Sequence, residues 1–201
     1  MATILITGCS TGIGYESALT FGRAGHRVYA TMRNLAKAGP LQAAAAAEKL
    51  DVRTVQLDVD SQASIDQALA HVVAESGQID ILVNNAGVTG VGPIETTTDA
   101  EWHAVFETNF FGPLRVARAV VPAMRERRAG TIVNVSSAAG RLVAPVYGQY
   151  HSSKWALECA METLAIELKQ FGIRVSLVEP GFFVTPILDK ALDVADTYVT
   201  A

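Results

Sequence analysis

The chain has 201 residues, half of them hydrophobic and 18% charged, with a formal net charge of −4. That is enough chain for one packed domain and too apolar for a disordered one. The mild acidity, with no basic block beyond "RERR" at Arg125 to Arg128, argues against nucleic acid or an anionic membrane surface as a partner.

The start, "MATILITGCS", lacks the basic residues and the long apolar run of a secretory signal. No stretch approaches the ~18 apolar residues of a membrane span. Cys9 and Cys159 are too few for a disulfide scaffold, so a reducing, cytoplasmic setting is expected. Cys9 reads as a small filler in its turn. His26, His71, His103 and His151 show no ligand spacing, and no metal site is expected.

Short β-branched runs alternate with longer stretches of helix formers. Residues 3–7 read as a buried strand and 12–24 as a helix, with Gly25 placed to end it. A second strand follows at 26–31, then an alanine-rich helix over 41–50. The third strand is expected at 52–59, a helix at 61–76 and the fourth strand at 79–85. A long helical stretch covers 99–128, with kinks expected at Gly112-Pro113 and Pro122. The fifth strand falls at 130–137, a helix at 150–171 and the sixth strand at 173–180. These strands are continuous apolar runs, which means burial on both faces. The prediction is an α/β fold forming a single domain over residues 1–201. It is a doubly wound parallel sheet with helices on both faces, in the strand order 3-2-1-4-5-6.

"TGCSTGIG", from Thr7 to Gly14, lies between the first strand and the first helix, where a phosphate-binding turn belongs. Gly8 allows the tight turn, Gly12 lets the backbone approach a pyrophosphate, and Gly14 permits close helix–strand packing. Ser10, Thr11 and Ile13 complete the turn. The helix N-terminus offers free N–H groups and a positive dipole end. A plain strand–helix turn is the alternative; a P-loop is excluded, because no Gly-Lys-Ser/Thr follows. An NAD-binding turn usually has an acid roughly 20 residues further on. Met32 stands there, and Arg33 follows. A guanidinium suits a ribose 2′-phosphate. NADP(H) is therefore favoured, with NAD(H) possible; the other reading of Arg33 is a solvated surface charge.

Tyr150 and Lys154 are four apart on a helix and so are neighbours on one face. An ammonium ~4 Å from a phenolate contributes roughly 4 kcal/mol at an effective dielectric of ~20. That would bring a phenol down toward neutrality, so that Tyr150 serves as general acid in reduction and general base in oxidation. Ser137 ends the fifth strand, at the carboxyl edge where such sheets bind ligands, and its hydroxyl can hold a substrate oxygen.

Thr7-Gly8-x-x-x-Gly12-x-Gly14, Asn84-Asn85-Ala86-Gly87, Ser137 and Tyr150-x-x-x-Lys154 occur together and in order. On these motifs the chain resembles the short-chain dehydrogenase/reductase family, in its single-domain branch, over essentially its whole length. The loops "NNAGVTGVGPIE" and "GRLVAPVYGQY" are similar to those of its steroid and retinol dehydrogenase-like members. The resemblance implies that Lys154 also holds the nicotinamide ribose hydroxyls. It implies that Asn109 helps hold a water in a proton relay, a kink-stabilising amide being the alternative. It further implies that Asp58 and Val59 meet the adenine, and that Asn85, Ala86 and Gly87 lie beside the adenosine ribose. Pro180, Gly181 and Thr185 would meet the nicotinamide. Asn84 and Asn134 are expected to tie strands together, and Asp80 to be structural.

Val91, Pro93, Leu142, Val143, Pro145, Val146 and Tyr147 offer an apolar wall. The expected substrate is an apolar or bulky small-molecule ketone and its secondary alcohol. A homodimer or homotetramer packed through the helices at 99–128 and 150–171 is expected, with no nucleic acid or membrane partner. Members of the family usually continue past "FFVTPILDKALDVADTYVTA" into a substrate lid, a helix and a seventh strand. These are expected to be absent here, which would leave the sixth strand as a sheet edge. A non-catalytic dinucleotide-binding or redox-sensing protein is the alternative that this ending raises.

Overall fold

Six of the apolar runs become strands, and all pair in parallel. The structure is a computed structural model that describes residues 1–181. The strands are β1 (Thr3–Ile6), β2 (Arg27–Met32), β3 (Val52–Gln56), β4 (Ile81–Asn84), β5 (Gly130–Val135) and β6 (Ile173–Val178). Their order across the sheet is β3-β2-β1-β4-β5-β6, as predicted. One register row runs Arg53, Tyr29, Leu5, Leu82, Ile132, Val175. The four central residues of that row face a core shared with α3 (Gln62–Ser76), α5 (Gly112–Glu126) and α6 (Gly148–Lys169). The opposite face, with Ile4, Ile6, Val28 and Ala30, packs on α1 (Gly12–Arg23) and α2 (Gly39–Ala47).

Continuous burial holds for β1, β2 and β4. It does not hold for β5, which alternates between buried and half-buried residues, nor for β3 and β6, which stand at the ends of the described sheet and alternate in exposure. β3 also stops three residues before its predicted end. There Asp58 N–H donates to Ser64 Oγ and Asp60 N–H to Asp58 Oδ1, so the chain turns into α3 instead of extending the ladder. β5 ends at Val135, so Ser137 lies just beyond the strand. α1 ends as expected, with Gly25 at φ +80°.

The predicted long helix is three pieces. α4 (Asp99–Phe106) runs into a single π-helical turn over Glu107–Phe111, and α5 follows. The irregularity therefore falls before Gly112-Pro113, and Pro113, which has no N–H to donate, stands where the π-helical turn passes without a break into α5. Pro122 lies inside α5 without ending it. The strand order reverses between β1 and β4, so a crevice opens at their carboxyl ends.

Candidate active site

A cleft of about 620 Å³ lies over that crevice. Its wall contains Gly8, Ser10, Thr11, Gly12, Ile13, Arg33, Asp58, Val59, Asn85, Ala86, Gly87, Ser137, Tyr150, Lys154, Pro180 and Gly181. Of the predicted site residues, Gly14 and Asn109 stand behind the wall, and Thr185 lies outside the described residues.

The first side of the cleft is built from backbone. Gly8 and Gly12 have φ of +74° and +62°, which L side chains rarely adopt. A Cβ on Gly8 would stand 2.7 Å from Ala86 Cα. A Cβ on Gly14 would stand 2.4 Å from Asn85 Nδ2 and 2.5 Å from the Gly8 carbonyl oxygen. The third glycine thus lets α1 close against the turn itself. Asn85 fastens the same place: its Nδ2 donates to the carbonyls of Thr7 at 2.9 Å and Gly8 at 3.0 Å. Thr11 precedes α1 in extended backbone with no side-chain capping bond, leaving its hydroxyl for a ligand. Met32 is buried at the end of β2, and Arg33 stands exposed on the cleft wall.

The other side is built from side chains. Ser137 Oγ accepts from Ala139 N–H at 3.1 Å and shares the cleft wall with Tyr150. Burial pushes the Tyr150 phenol above its ordinary value, and the nearby Ser137 hydroxyl opposes this only in part. Lys154 is buried, its Nζ donates to the Val135 carbonyl at 3.0 Å, and it stands 5.8 Å from the Tyr150 ring centre. Burial pulls its ammonium down to about 8. The expected lowering of Tyr150 by Lys154 is therefore not a property of the protein alone: the amine is turned to a backbone carbonyl, and desolvation acts on both groups.

Asn109 sits in the π-helical turn and clamps Val88 from both sides. Its Oδ1 accepts from Val88 N–H at 2.8 Å, and its Nδ2 donates to the Val88 carbonyl at 2.9 Å and to Ser153 Oγ at 3.1 Å. A Cβ on Gly87 would lie 3.3 Å from Asn109 Oδ1 and 3.8 Å from Lys154 Nζ, so this turn, the amide and the lysine meet. Asn84 donates to Asn134 Oδ1 at 2.9 Å and ties β4 to β5 as expected. Asp80 accepts from the Thr3 N–H, a structural bond. Cys9 is a buried filler, its thiol pushed up to about 12 by burial. Among the described residues, no cluster of His, Cys, Asp or Glu is placed to hold a metal.

Sequence reasoning passed over several residues of the cleft: Asp60, Thr89, Thr108, Ser136 and His151. Asp60 was signalled by its place two residues after Asp58 in "LDVDS", and Thr108 by its adjacency to Asn109. Of the apolar wall, Leu142, Val143 and Tyr147 line the cleft with Ala144. Val91, Pro93, Pro145 and Val146 do not; the Val146 carbonyl instead accepts from Gly92 N–H at 2.7 Å, bridging two loops.

A family model described as short chain dehydrogenase matches residues 2–194. Retinol dehydrogenase 8 of Bos taurus is 46% identical over 97% of the chain, which spans 63% of that relative's length. 3-Ketodihydrosphingosine reductase of Bacteroides thetaiotaomicron is 39% identical over 93% of the chain and 66% of its own length. The crystal structure of a gluconate 5-dehydrogenase from Burkholderia cenocepacia, in complex with NADP and tartrate, superposes with a TM-score of 0.89 at 31% identity. That match covers 96% of this chain and 75% of the other.

Proposed function

Since the chain belongs to the short chain dehydrogenase family, we propose that it is an oxidoreductase using NADP(H) on the carbonyl or secondary alcohol of an apolar or bulky substrate. The observation that carries this is Ser137, Tyr150 and Lys154 on the wall of one cleft, together with a turn that admits no Cβ. The protein fits the cofactor. The cradle at Gly8 and Gly12 and the N-terminus of α1 suit its pyrophosphate, Arg33 its 2′-phosphate, and Asp58, Val59, Asn85, Ala86 and Gly87 its adenosine. Pro180 and Gly181 would border the nicotinamide, which supplies or accepts the hydride when bound. NADP in the related gluconate dehydrogenase supports the cofactor choice. The names of the retinol and ketodihydrosphingosine relatives, with Leu142, Val143 and Tyr147 on the cleft, support an apolar substrate.

In reduction, Tyr150 gives its phenolic proton to the carbonyl oxygen. Ser137 holds that oxygen as negative charge gathers on it. In oxidation, Tyr150 takes the hydroxyl proton back. Lys154, as a cation, stabilises the phenolate left behind and holds the ribose hydroxyls. Asn109 keeps the Val88 segment, and so the turn beside Lys154, in place.

A dinucleotide-binding or redox-sensing protein without turnover is the second reading. The raised Tyr150 and the lowered Lys154 favour it. Fluorescence titration with NADPH and NADH in parallel, followed by assays on hydrophobic ketones, tests the first reading. Tyr150→Phe should abolish turnover and spare NADPH binding. Binding without turnover by the unaltered chain would support the second reading, and stronger binding of NADH would overturn the cofactor assignment. A homodimer or homotetramer is part of the proposal, supported by exposed Phe111, Trp155 and Ile166 on the π-helical turn and α6. Sedimentation as a monomer would remove it. The free Cys9 and Cys159 suit a cytoplasmic setting. No helix of the described residues is long and apolar enough to cross a membrane.

A further inference from the structure

α6 carries a third polar residue on the stripe of Tyr150 and Lys154. Glu158 follows Lys154 by four residues, so the two face the same side of the helix. Its side chain is only 3% exposed. An acid so deeply buried needs partners. One oxygen, Oε2, accepts from Arg141 Nη2 at 3.0 Å. The other, Oε1, is buried with no hydrogen-bond partner among the described residues. Ser136 Oγ is likewise buried and unpartnered. Gly140 leaves room for both: a Cβ there would meet Glu158 Oε1 at 3.0 Å and Ser136 Oγ at 3.1 Å.

Arg141 does not neutralise Glu158 by itself. The same guanidinium donates to Glu162 Oε1 at 2.6 Å, and its Nε donates to Glu179 Oε1 at 3.1 Å. One cation thus serves three carboxylates, and the cluster holds an excess of negative charge. Glu162 stands largely in water, whereas Glu158 points into the protein. Lys154 is the buried cation on that side, and among the described residues its one hydrogen bond is to the neutral Val135 carbonyl. The other titratable groups beside the pair are Tyr150 and His151. Tyr150 shares the cleft wall with Ser137, and His151 Nδ1 turns to the carbonyls of Ala139 and Leu142.

We propose that Glu158 is a positioning residue whose buried carboxylate, anchored by Arg141, keeps Lys154 charged within the wall of the cleft. Burial works against the Lys154 ammonium, and the charge of Glu158 is the opposing influence. The inference rests on the oxidoreductase reading for what the lysine's charge is used for. The charge itself is observable without any turnover. Of the two acids that salt-bridge to Arg141 from α6, only Glu158 lies one turn from Lys154; Glu162 lies two turns away.

The test is a pH titration of the full chain labelled with 13C at lysine Cε, whose chemical shift reports protonation. The chain has five lysines, Lys37, Lys49, Lys154, Lys169 and Lys190. Lys154→Arg identifies the signal. The wild-type midpoint is expected at about 8. Glu158→Gln keeps the shape and removes the charge, leaving Arg141 on Glu162 and Glu179; the midpoint should fall by at least about one pH unit, a tenfold loss of proton affinity. Glu158→Asp should fall between the two and guards against a Gln variant that folds poorly. The alkaline limb of NADPH-dependent ketone reduction should move the same way. An unmoved Lys154 midpoint, with only the melting temperature lowered, would overturn the proposal. A moved midpoint in a protein that reduces no ketone would uphold Glu158 and overturn the oxidoreductase reading instead.

Discussion

The two halves of the cleft are made of different material. On the side of β1, β2 and β3, the site is backbone. Its shape comes from Gly8, Gly12 and Gly14, and the core beneath is apolar, with Ile4, Ile6, Val28 and Ala30 fully buried. The buried polar groups there are threonines satisfied at short range, such as Thr31, whose Oγ1 donates to the Ile6 carbonyl. On the side of β4, β5 and α6, the site is side chains, and the interior holds Asn84, Asn109, Asn134, Ser136, Gln149, Ser153, Lys154 and Glu158. A backbone site adds no desolvated charge, but it tolerates no added carbon. A side-chain site tolerates changes of shape better than changes of charge, and it stores unfavourable burial.

Lys154 gives the largest expected effect on this contrast. Its folded value of about 8 lies below the ordinary lysine value of 10.5. Below pH 8 both states carry the charge, and only the folded one holds it desolvated. As pH rises from 8 to 10.5, the folded protein gives up this proton before the unfolded chain does, so stability rises across that window. Lys154→Met should therefore stabilise the protein at pH 7 by up to about 3 kcal/mol. The gain should vanish above pH ~10.5, and activity should be lost. Urea unfolding at pH 7 and at pH 10.5 measures this. A destabilised variant at pH 7 would mean that the side chain's bond to Val135 outweighs its burial.

Gly14→Ala probes the backbone half. The new methyl meets the Gly8 carbonyl, which is backbone, and the Asn85 amide, which is pinned by its bonds to the Thr7 and Gly8 carbonyls. A loss of about 2 kcal/mol is expected, together with loss of NADPH binding, since the displaced group belongs to the turn that would hold the pyrophosphate. Thermal melting and fluorescence titration read the two effects. Retained binding would move the phosphate site elsewhere.

Arg33→Ala is smaller and purely selective. The side chain is exposed and stands on the wall of the cleft. A charge-assisted bond is worth about 1.5–3 kcal/mol, so the NADPH dissociation constant should rise roughly ten- to a hundredfold. That for NADH should barely change. Equal effects on both would make Arg33 a solvated surface charge.

The same contrast explains what could be read in advance. The sheet order was legible because β1, β2 and β4 are largely apolar, buried runs that only a parallel sheet covered on both faces accommodates. The glycine turn was legible because backbone geometry leaves few residue types to choose from at Gly8, Gly12 and Gly14. The other half was legible only where spacing on one helix announced it, as with Tyr150 and Lys154. Glu158 lies at the next step of that spacing, yet its role depends on Arg141, which the fold brings from beyond β5. The π-helical turn at Glu107–Phe111 was invisible because its residues, "ETNFF", differ little from those of an ordinary helix. What marks it is tertiary: Asn109 reaching back to Val88. The raised Tyr150 was missed because spacing shows a neighbouring charge and not how far both groups are removed from water.

Val146 offers the finest test, because it puts a backbone problem in the side-chain half. It is β-branched and holds φ at +61°, a region that normally suits glycine. Its carbonyl accepts from Gly92 N–H, joining the loop after β4 to the loop that carries Leu142, Val143 and Tyr147. Strain of this kind costs on the order of 1–3 kcal/mol. Val146→Gly relieves it, but gives the unfolded chain about 0.5–1 kcal/mol of extra freedom. The variant should therefore be as stable as the wild type or more so, by up to about 2.5 kcal/mol, with the Gly92 bridge kept. A loss above about 2 kcal/mol in urea unfolding would mean that the packing of the valine, and not its backbone, holds the two loops over the cleft.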